Sequence, residues 1–140
     1  MTTENQWSTH SYPFFVREAQ LDSYGHMNNL QYLAAFEEAR WEMITERGYG
    51  LDKVHELQIG PVLLSIDVQF KKEVRLRQKV EIHTCTVSYE GKILKLRQQM
   101  LSQTGELHCQ ANFTMGLFDM RARKLIAPTL EWLKACGKEG

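Results

Sequence analysis

A short stretch near the N-terminus combines an acid, an imidazole, two amides and a glycine: Asp22, Gly25, His26, Asn28 and Asn29. The amides stand where a long helical pattern begins. A helix start offers unpaired backbone N–H groups and about half a positive charge, which can polarise a carbonyl oxygen. Gly25 permits a tight turn that would bring Asp22 back toward those groups. This is an arrangement for acyl transfer, in which the acid attacks the carbonyl carbon or activates water.

The same residue types are ordinary turn formers, so a purely structural loop is the competing interpretation. Asn28 is more readily explained as a helix N-cap than as a catalyst. His26 is interpreted either as a polar wall that orients Asp22 or water, or as a structural turn histidine. The other histidines show no ligand spacing with His26, so no metal site is expected. No metal or redox cofactor is implied.

One long helix must position this segment. The pattern predicts a helix from about Asn29 to Arg47, with apolar and small residues over an arc of roughly 220°. A helix with so wide an apolar arc should be covered on most sides. Glu37 and Arg40 interrupt the arc and are three residues apart, which favours a structural ion pair. A catalytic Glu37 that faces the core is the alternative.

Alternating apolar and polar residues predict a set of strands. In the best of them, one apolar face is predicted for Val62, Leu64, Ile66, Val68 and Phe70. The further predicted strands are Tyr12–Gln20, Lys79–Val87, Ile93–Leu101 and Leu107–Phe118. Gly91 marks a hairpin turn within this series. The order predicts an antiparallel meander that curls around one long helix.

The composition bounds the class of protein. The chain has 140 residues, 43% of them hydrophobic, which predicts a single domain (1–140) with loose ends over 1–11 and 135–140. Seventeen basic and seventeen acidic residues balance, which argues against a nucleic-acid binder. No apolar run approaches the roughly 18 residues of a membrane span, and no signal peptide is visible. Three scattered cysteines favour a reducing, cytoplasmic setting.

The segment Asp22–Asn29, followed by Tyr32 and Phe36–Arg40, resembles the signature of hotdog-fold acyl-CoA thioesterases. The nearest branch is the 4-hydroxybenzoyl-CoA thioesterase-like group, and the pattern Asp-x-x-Gly-His-x-Asn-Asn is also similar to plant acyl-ACP thioesterases. The resemblance spans about Tyr12 to Pro128. It implies an α+β hotdog fold, with an antiparallel sheet of about five strands wrapped around one long central helix. It also implies a homodimer or a dimer of dimers, with sheets joined edge to edge and substrate at the subunit interface.

The resemblance implies roles for individual residues. Asp22 matches the catalytic carboxylate, and the backbone N–H of Asn29 matches the amide that holds the thioester oxygen. His26 matches the catalytic histidine of the plant-type motif, whereas the bacterial benzoyl-type motif has an apolar residue there. Tyr24 stands where the plant-type motif has Asn, so that catalytic set is incomplete in this chain.

Substrate-binding residues are expected around the same loop and on one basic turn. The loop and helix supply Tyr24, Gly25, Asn28 and Tyr32, and the basic turn supplies Lys71, Lys72 and Arg75 for the phosphates of coenzyme A. A solvated charged loop is the alternative reading of that turn.

The predicted function is therefore hydrolysis of an acyl-CoA or acyl-carrier-protein thioester. A non-catalytic acyl-CoA-binding hotdog protein is the main alternative. A hotdog enoyl-thioester hydratase or dehydratase is less favoured, because the Pro-Gly element expected at the helix start of such an enzyme is missing here. The sequence does not choose the acyl group, the carrier or the oligomeric state.

Overall fold

The computed structural model describes residues 6–139. This part of the chain forms β1 (His10–Phe15), α1 (Asn29–Glu46), α2 (Leu51–Leu57), β2 (Ile59–Phe70), β3 (Lys79–Glu90), β4 (Ile93–Ser102), β5 (Leu107–Asp119), β6 (Lys124–Ile126) and α3 (Leu130–Ala135). The predicted hairpin between β3 and β4 is confirmed, and Gly91 occupies its turn with a φ of 60°. The predicted helix is likewise confirmed, and β3, β4 and β5 form an antiparallel meander, but β2, which was predicted to belong to it, pairs with β5 and not with β3.

All six strands belong to one antiparallel sheet with the order β1-β3-β4-β5-β2, and β6 pairs with the end of β5. The prediction of about five strands omitted the three-residue β6. The sheet has two edges, β1 and β2. The predicted α+β class is confirmed. Within residues 6–139, no helix combines the length and the apolar character that a bilayer crossing requires.

The predicted apolar face of β2 is wrong at Val62 and Leu64. The pairing of β2 with β5 shifts between Leu63 and Ser65, because Leu64 is an extra residue in a β-bulge. Residues opposite one another in an antiparallel pair share a face. Leu63 lies opposite Met115 and Ile66 opposite Phe113, so both face the helix. Val62 lies opposite Gly116 and faces the other side.

Helix α1 packs against the sheet through one side. Its buried residues are Tyr32, Ala35, Phe36, Ala39, Met43 and Ile44. The ring of Phe36 meets that of Phe113 edge-on, with ring centroids 6.1 Å apart. The opposite flank is more open than its wide apolar arc predicted, since Leu30 is 71% exposed and Ala34 is also exposed. A single copy of the chain therefore leaves part of the apolar arc uncovered.

The predicted ion pair of Glu37 and Arg40 does not form within the described residues. Arg40 instead donates to the Oε1 atom of Gln98 at 3.0 Å, and its guanidinium carbon lies 4.4 Å from the centre of the Phe113 ring. Burial lowers the pKa of Arg40 to about 10. The Phe113 ring and the buried Gln98 amide thus hold the Arg40 cation toward the core. Glu37, the carboxylate that the alternative prediction placed there, is exposed.

The two ends of the described chain are tied together, contrary to the expected loose ends. The N–H of Ser8 donates to the carbonyl of Gly137 at 2.8 Å, and that of Glu139 donates to Gln6 at 2.9 Å. The first strand runs over His10–Phe15 rather than Tyr12–Gln20, because the chain turns into a short 3₁₀ helix at Glu18–Gln20. The rest of the predicted loose ends, residues 1–5 and 140, lies outside the described residues.

Candidate active site

The loop before α1 is closed by its own backbone. The N–H of Asp22 donates to the carbonyl of His26 at 2.8 Å, and the N–H of Asn28 donates to that of Gln20 at 2.8 Å. Gly25 has a φ of 80°, a value that residues with a Cβ rarely adopt. The tight turn that Gly25 predicted is confirmed, and the loop returns on itself and leads directly into the helix.

The carboxylate of Asp22 is fixed through one oxygen. Its Oδ1 atom accepts from the N–H of Tyr24 at 2.9 Å and from the N–H of His26 at 3.2 Å. This is an Asx turn, which by itself has a structural explanation. The Oδ2 atom has no hydrogen-bond partner within residues 6–139, and the side chain is half-buried. The residue is therefore oriented while one oxygen stays available.

The start of α1 keeps one N–H group free. The side chain of Asn28 caps the helix by accepting from the N–H of Leu30 at 2.9 Å, as its type predicted. The carbonyl of Asn28 accepts from the N–H of Gln31 at 2.8 Å. In the described part of the chain, the N–H of Asn29 has no acceptor. An oxygen atom of a ligand would fill that place, where the helix dipole adds to the attraction.

A second carboxylate reaches this loop from elsewhere in the chain. The Oε2 atom of Glu73 lies 2.9 Å from the Nε2 atom of His26, and the Nε atom of Arg75 lies 3.6 Å from the Oε1 atom of Glu73. Glu73, which lies 47 positions after His26 inside the basic turn, was not predicted to have a role. Its one signal was that it is the only acid between Lys71 and Lys79.

The basic turn, residues 71–78, contacts the Asp22 loop and is supported by a buried tyrosine of α1. The N–H of Val74 donates to the hydroxyl of Tyr32 at 3.2 Å, and the Tyr32 ring meets Phe70 edge-on. Tyr32 is only 4% exposed. Burial raises the pKa of its hydroxyl. Tyr32, expected to touch substrate, thus supports the turn that faces the loop.

The cations of the basic turn have different surroundings. The Nζ atom of Lys72 lies 2.7 Å from the Oε2 atom of Glu106, and Arg75 approaches Glu73. Lys71 is exposed and forms no ion pair within residues 6–139. Lys71, Lys72 and Arg75 are thus all exposed on a turn that contacts the Asp22 loop, on which Tyr24 is 84% exposed.

An apolar cavity of about 130 Å³ lies beside the second half of α1. Its walls include Trp41, Leu63, Met115 and Trp132. A second cavity, of about 170 Å³, lies nearer the start of α1, and its lining includes Leu33, Ala34 and Ile66. Glu37, Arg40 and Leu63 line both. The two cavities together form an apolar groove along the open flank of α1.

A family model described as the thioesterase-like superfamily matches residues 16–135. The chain belongs to this superfamily. The match includes the Asp22 loop, α1 and the whole meander, so the resemblance noted from the loop and helix motifs is confirmed.

This superfamily member is 28% identical over 113 residues to the long-chain acyl-CoA thioesterase FadM of Escherichia coli, a match that covers 80% of this chain and 85% of FadM. Among solved structures, the probable thioesterase YbaW of Escherichia coli has a TM-score of 0.79 and 25% identity, and the match covers 89% of this chain and 94% of YbaW. A Staphylococcus aureus protein solved in complex with CoA has a TM-score of 0.85 at 16% identity, over 92% of this chain and 82% of its own. The hotdog fold is confirmed by these likenesses.

Proposed function

We propose that the chain hydrolyses acyl-CoA thioesters to the free acid and coenzyme A. The observation that carries the proposal is that the loop leading directly into α1 holds a fixed carboxylate with one free oxygen, while the first N–H of the helix is also free. Asp22 offers an unpartnered Oδ2 atom, and the N–H of Asn29 lacks an acceptor within the described residues. The catalytic roles of Asp22, His26 and Asn29 are part of the proposal, and family membership supports the reaction class.

In the proposed reaction, the thioester oxygen accepts a hydrogen bond from the N–H of Asn29, and the helix dipole stabilises the negative charge that develops on it. The Oδ2 atom of Asp22 then attacks the carbonyl carbon, or it takes a proton from a water molecule that attacks instead. The carbon–sulfur bond breaks and the thiolate of coenzyme A leaves. In the first route, water later hydrolyses the mixed anhydride on Asp22. Both routes give the same products.

We propose a long acyl chain as the preferred substrate. The apolar groove follows α1, and its lining residues on the helix run from Leu33 to Ile44, a rise of about 17 Å. A short or aromatic acyl group would leave most of that groove empty, whereas a long chain would bury apolar surface along it. The relative FadM is named as a long-chain acyl-CoA thioesterase. The preference for coenzyme A over an acyl carrier protein rests on that relative and on the CoA-bound structural neighbour.

The phosphates of coenzyme A are proposed to bind at the exposed surface formed by Lys71, Lys72 and Arg75, next to the Asp22 loop. Tyr24, Gly25 and Asn28 would border the pantetheine arm. Two of the cations already have acidic neighbours, so the attraction should be moderate and sensitive to salt. Raising the salt concentration should increase KM for acyl-CoA more than it lowers kcat.

We further propose that two copies associate through the β2 edge. Four large apolar side chains of this strand are 38–50% exposed: Leu63, Leu64, Ile66 and Phe70. An apolar open edge is a template for pairing with another strand. Pairing would also cover the open flank of α1 and its groove. Ile66→Lys should shift the protein to a monomer in sedimentation, while Leu130→Lys, at an equally apolar but remote exposed position, should not.

A cytoplasmic location is proposed from the thiols. The three cysteines are free, and Cys109 and Cys136 are buried. Burial raises the pKa of Cys109 to about 12, which keeps its thiol protonated. Thiols of this kind suit a reducing compartment.

The deciding experiment measures thiol release from a panel of acyl-CoAs that runs from acetyl to palmitoyl and includes benzoyl. The parent, Asp22→Asn and Asp119→Asn are compared. Asp119 is a matched control, because its carboxylate also accepts two backbone N–H groups, from Arg121 at 2.9 Å and Ala122 at 3.0 Å, but at a remote turn. We expect palmitoyl-CoA to be hydrolysed best, only Asp22→Asn to lose activity, and Asp119→Asn to match the parent.

Equal activity of all three proteins would exclude Asp22 as the catalyst. Saturable binding of acyl-CoA without thiol release would support the non-catalytic binding protein instead. Hydration of an enoyl-CoA without thiol release would support the hydratase.

A further inference from the structure

The contact between His26 and Glu73 lies outside the reaction as proposed. A neutral imidazole nitrogen either carries a proton and donates, or lacks one and accepts. An ionised carboxylate only accepts. The Nε2 atom of His26 lies 2.9 Å from the Oε2 atom of Glu73, within ion-pair distance, and a neutral His26 ring can donate to that carboxylate only with its proton on Nε2. The Nδ1 atom is then the nitrogen that can accept a hydrogen bond.

The position of Glu73 is set by buried groups. The Nδ1 atom of His108 lies 2.9 Å from the carbonyl of Glu73 and 3.2 Å from that of Lys72, to which its N–H donates. The Nε2 atom of His108 faces the Nε2 atom of Gln78 at 3.3 Å and so accepts. His108 is only 2% exposed. Together with the Val74 N–H on Tyr32, this contact fixes the backbone on both sides of the Glu73 carbonyl.

His26 in turn holds the reactive group. Its backbone N–H donates to the Oδ1 atom of Asp22. One residue thus carries both a backbone contact with the carboxylate of Asp22 and a ring that lies 2.9 Å from Glu73. The charged group in contact with this ring is Glu73, which Arg75 approaches, and Asp22 on the same loop contacts His26 through the backbone N–H. The first turn of α1 contributes none of the charged side chains.

We propose that Glu73 is a positioning residue. It holds the His26 ring with its proton on Nε2, so that Nδ1 accepts a hydrogen bond from the water used in hydrolysis. The inference rests on the proposed thioesterase reaction for its kinetic effect, but the tautomer is a property of the protein alone. Glu73 does not touch the substrate in this role. It acts through His26, and it would act in the step where water attacks, whether on the thioester or on the anhydride.

The test compares Glu73→Gln with a matched control, Glu106→Gln. Both residues are exposed acids that contact the basic turn region, but Glu106 pairs with Lys72 and does not reach His26. The tautomer of His26 is read from the ¹⁵N shifts of its ring, with the signal assigned by its loss in His26→Gln. We expect the parent and Glu106→Gln to hold the Nε2–H form and Glu73→Gln to show a mixture.

The kinetic readout separates positioning from binding. A hydrogen bond to an exposed charged group has a modest effect, so Glu73→Gln should lower kcat roughly three- to tenfold and leave KM within about twofold. Glu106→Gln should leave kcat unchanged. In the His26→Gln background, Glu73→Gln should have no further effect on kcat, because the ring it positions is gone.

Three outcomes would overturn the proposal: an unchanged His26 tautomer in Glu73→Gln, an equal fall of kcat in both Glu variants, or a full effect of Glu73→Gln in the His26→Gln background. A parent that hydrolyses no acyl-CoA would overturn the thioesterase proposal and, with it, the kinetic role of Glu73. The ¹⁵N measurement would still decide whether Glu73 sets the tautomer. The two failures are thereby distinguishable.

Discussion

The start of α1 and the rest of the helix are stabilised by different interactions. At its start, the Asp22 loop is fixed by backbone hydrogen bonds among residues close in sequence, such as Asp22 with Tyr24 and Asn28 with Leu30. Farther along the helix, Phe36, Ala39 and Met43 are buried in the core that α1 shares with strands far along the chain. If the proposed reaction takes place at the helix start, reactivity and stability reside in separate parts of α1. Substitutions at the helix start should alter catalysis, and substitutions of the buried residues farther along should alter stability and the shape of the groove.

The largest expected effect concerns the buried residues of α1. Phe36→Ala removes a fully buried ring that packs edge-on against Phe113, and such substitutions cost about 3–5 kcal/mol of unfolding free energy. Leu30 lies at the start of the same helix and is 71% exposed. Leu30→Ala should therefore change the unfolding free energy by less than about 0.5 kcal/mol. Urea unfolding monitored by circular dichroism measures both. A similar cost for the two variants would contradict the contrast.

The second prediction is the reverse case at the helix start. Asp22→Asn keeps an Oδ1 acceptor for the N–H groups of Tyr24 and His26, so the loop should persist. We expect kcat/KM for palmitoyl-CoA to fall by about a hundredfold or more, as for loss of an acid–base group. The urea midpoint should equal that of the parent. If activity and stability fall together, the loop depends on the charge of Asp22 and the two parts of α1 are not separable.

A third prediction sharpens the contrast by matching two glycines. Gly25 and Gly105 have φ values of 80° and 88°, and open space surrounds the Cβ that Ala would add at either position. Each Gly→Ala change should therefore cost about 1–2 kcal/mol through backbone strain alone. Gly25→Ala should also lower kcat, since strain there displaces Asp22, whereas Gly105→Ala should not. Thermal melts and thiol release measure the two effects separately, and equal activities would show that the loop tolerates the strain.

The smallest expected effect concerns helix caps. The side chain of Asn28 accepts from the N–H of Leu30, and that of Thr129 accepts from the N–H of Trp132 at 3.2 Å. Replacing either by Ala should cost about 1 kcal/mol of stability. Asn28→Ala should in addition change KM or kcat, because a second N–H then competes with that of Asn29 for the thioester oxygen. Unaltered kinetics in Asn28→Ala would place the thioester away from the start of α1.

Sequence reasoning was accurate wherever the determinants are local. The apolar periodicity located α1, and Asn28 marked its cap. Gly25 and Gly91 marked turns that the structure confirms. It was wrong where one extra residue changes a face, as at the Leu64 bulge, and where a partner is distant, as for Arg40 with Gln98. A period of two has no means of signalling a bulge, and charge spacing along a helix does not reveal a buried amide on a strand.

By itself, the sequence determined the Asp22 loop and the helix it leads into, because turn chemistry, capping and periodicity act over fewer than about eight residues. It also carried the motif that identifies the superfamily. Only the tertiary structure decided that Glu73 meets His26, that Tyr32 supports the basic turn, and that an apolar groove follows the open flank of α1. These contacts depend on how the sheet brings distant segments together, and strand pairing over such separations is set by the whole core.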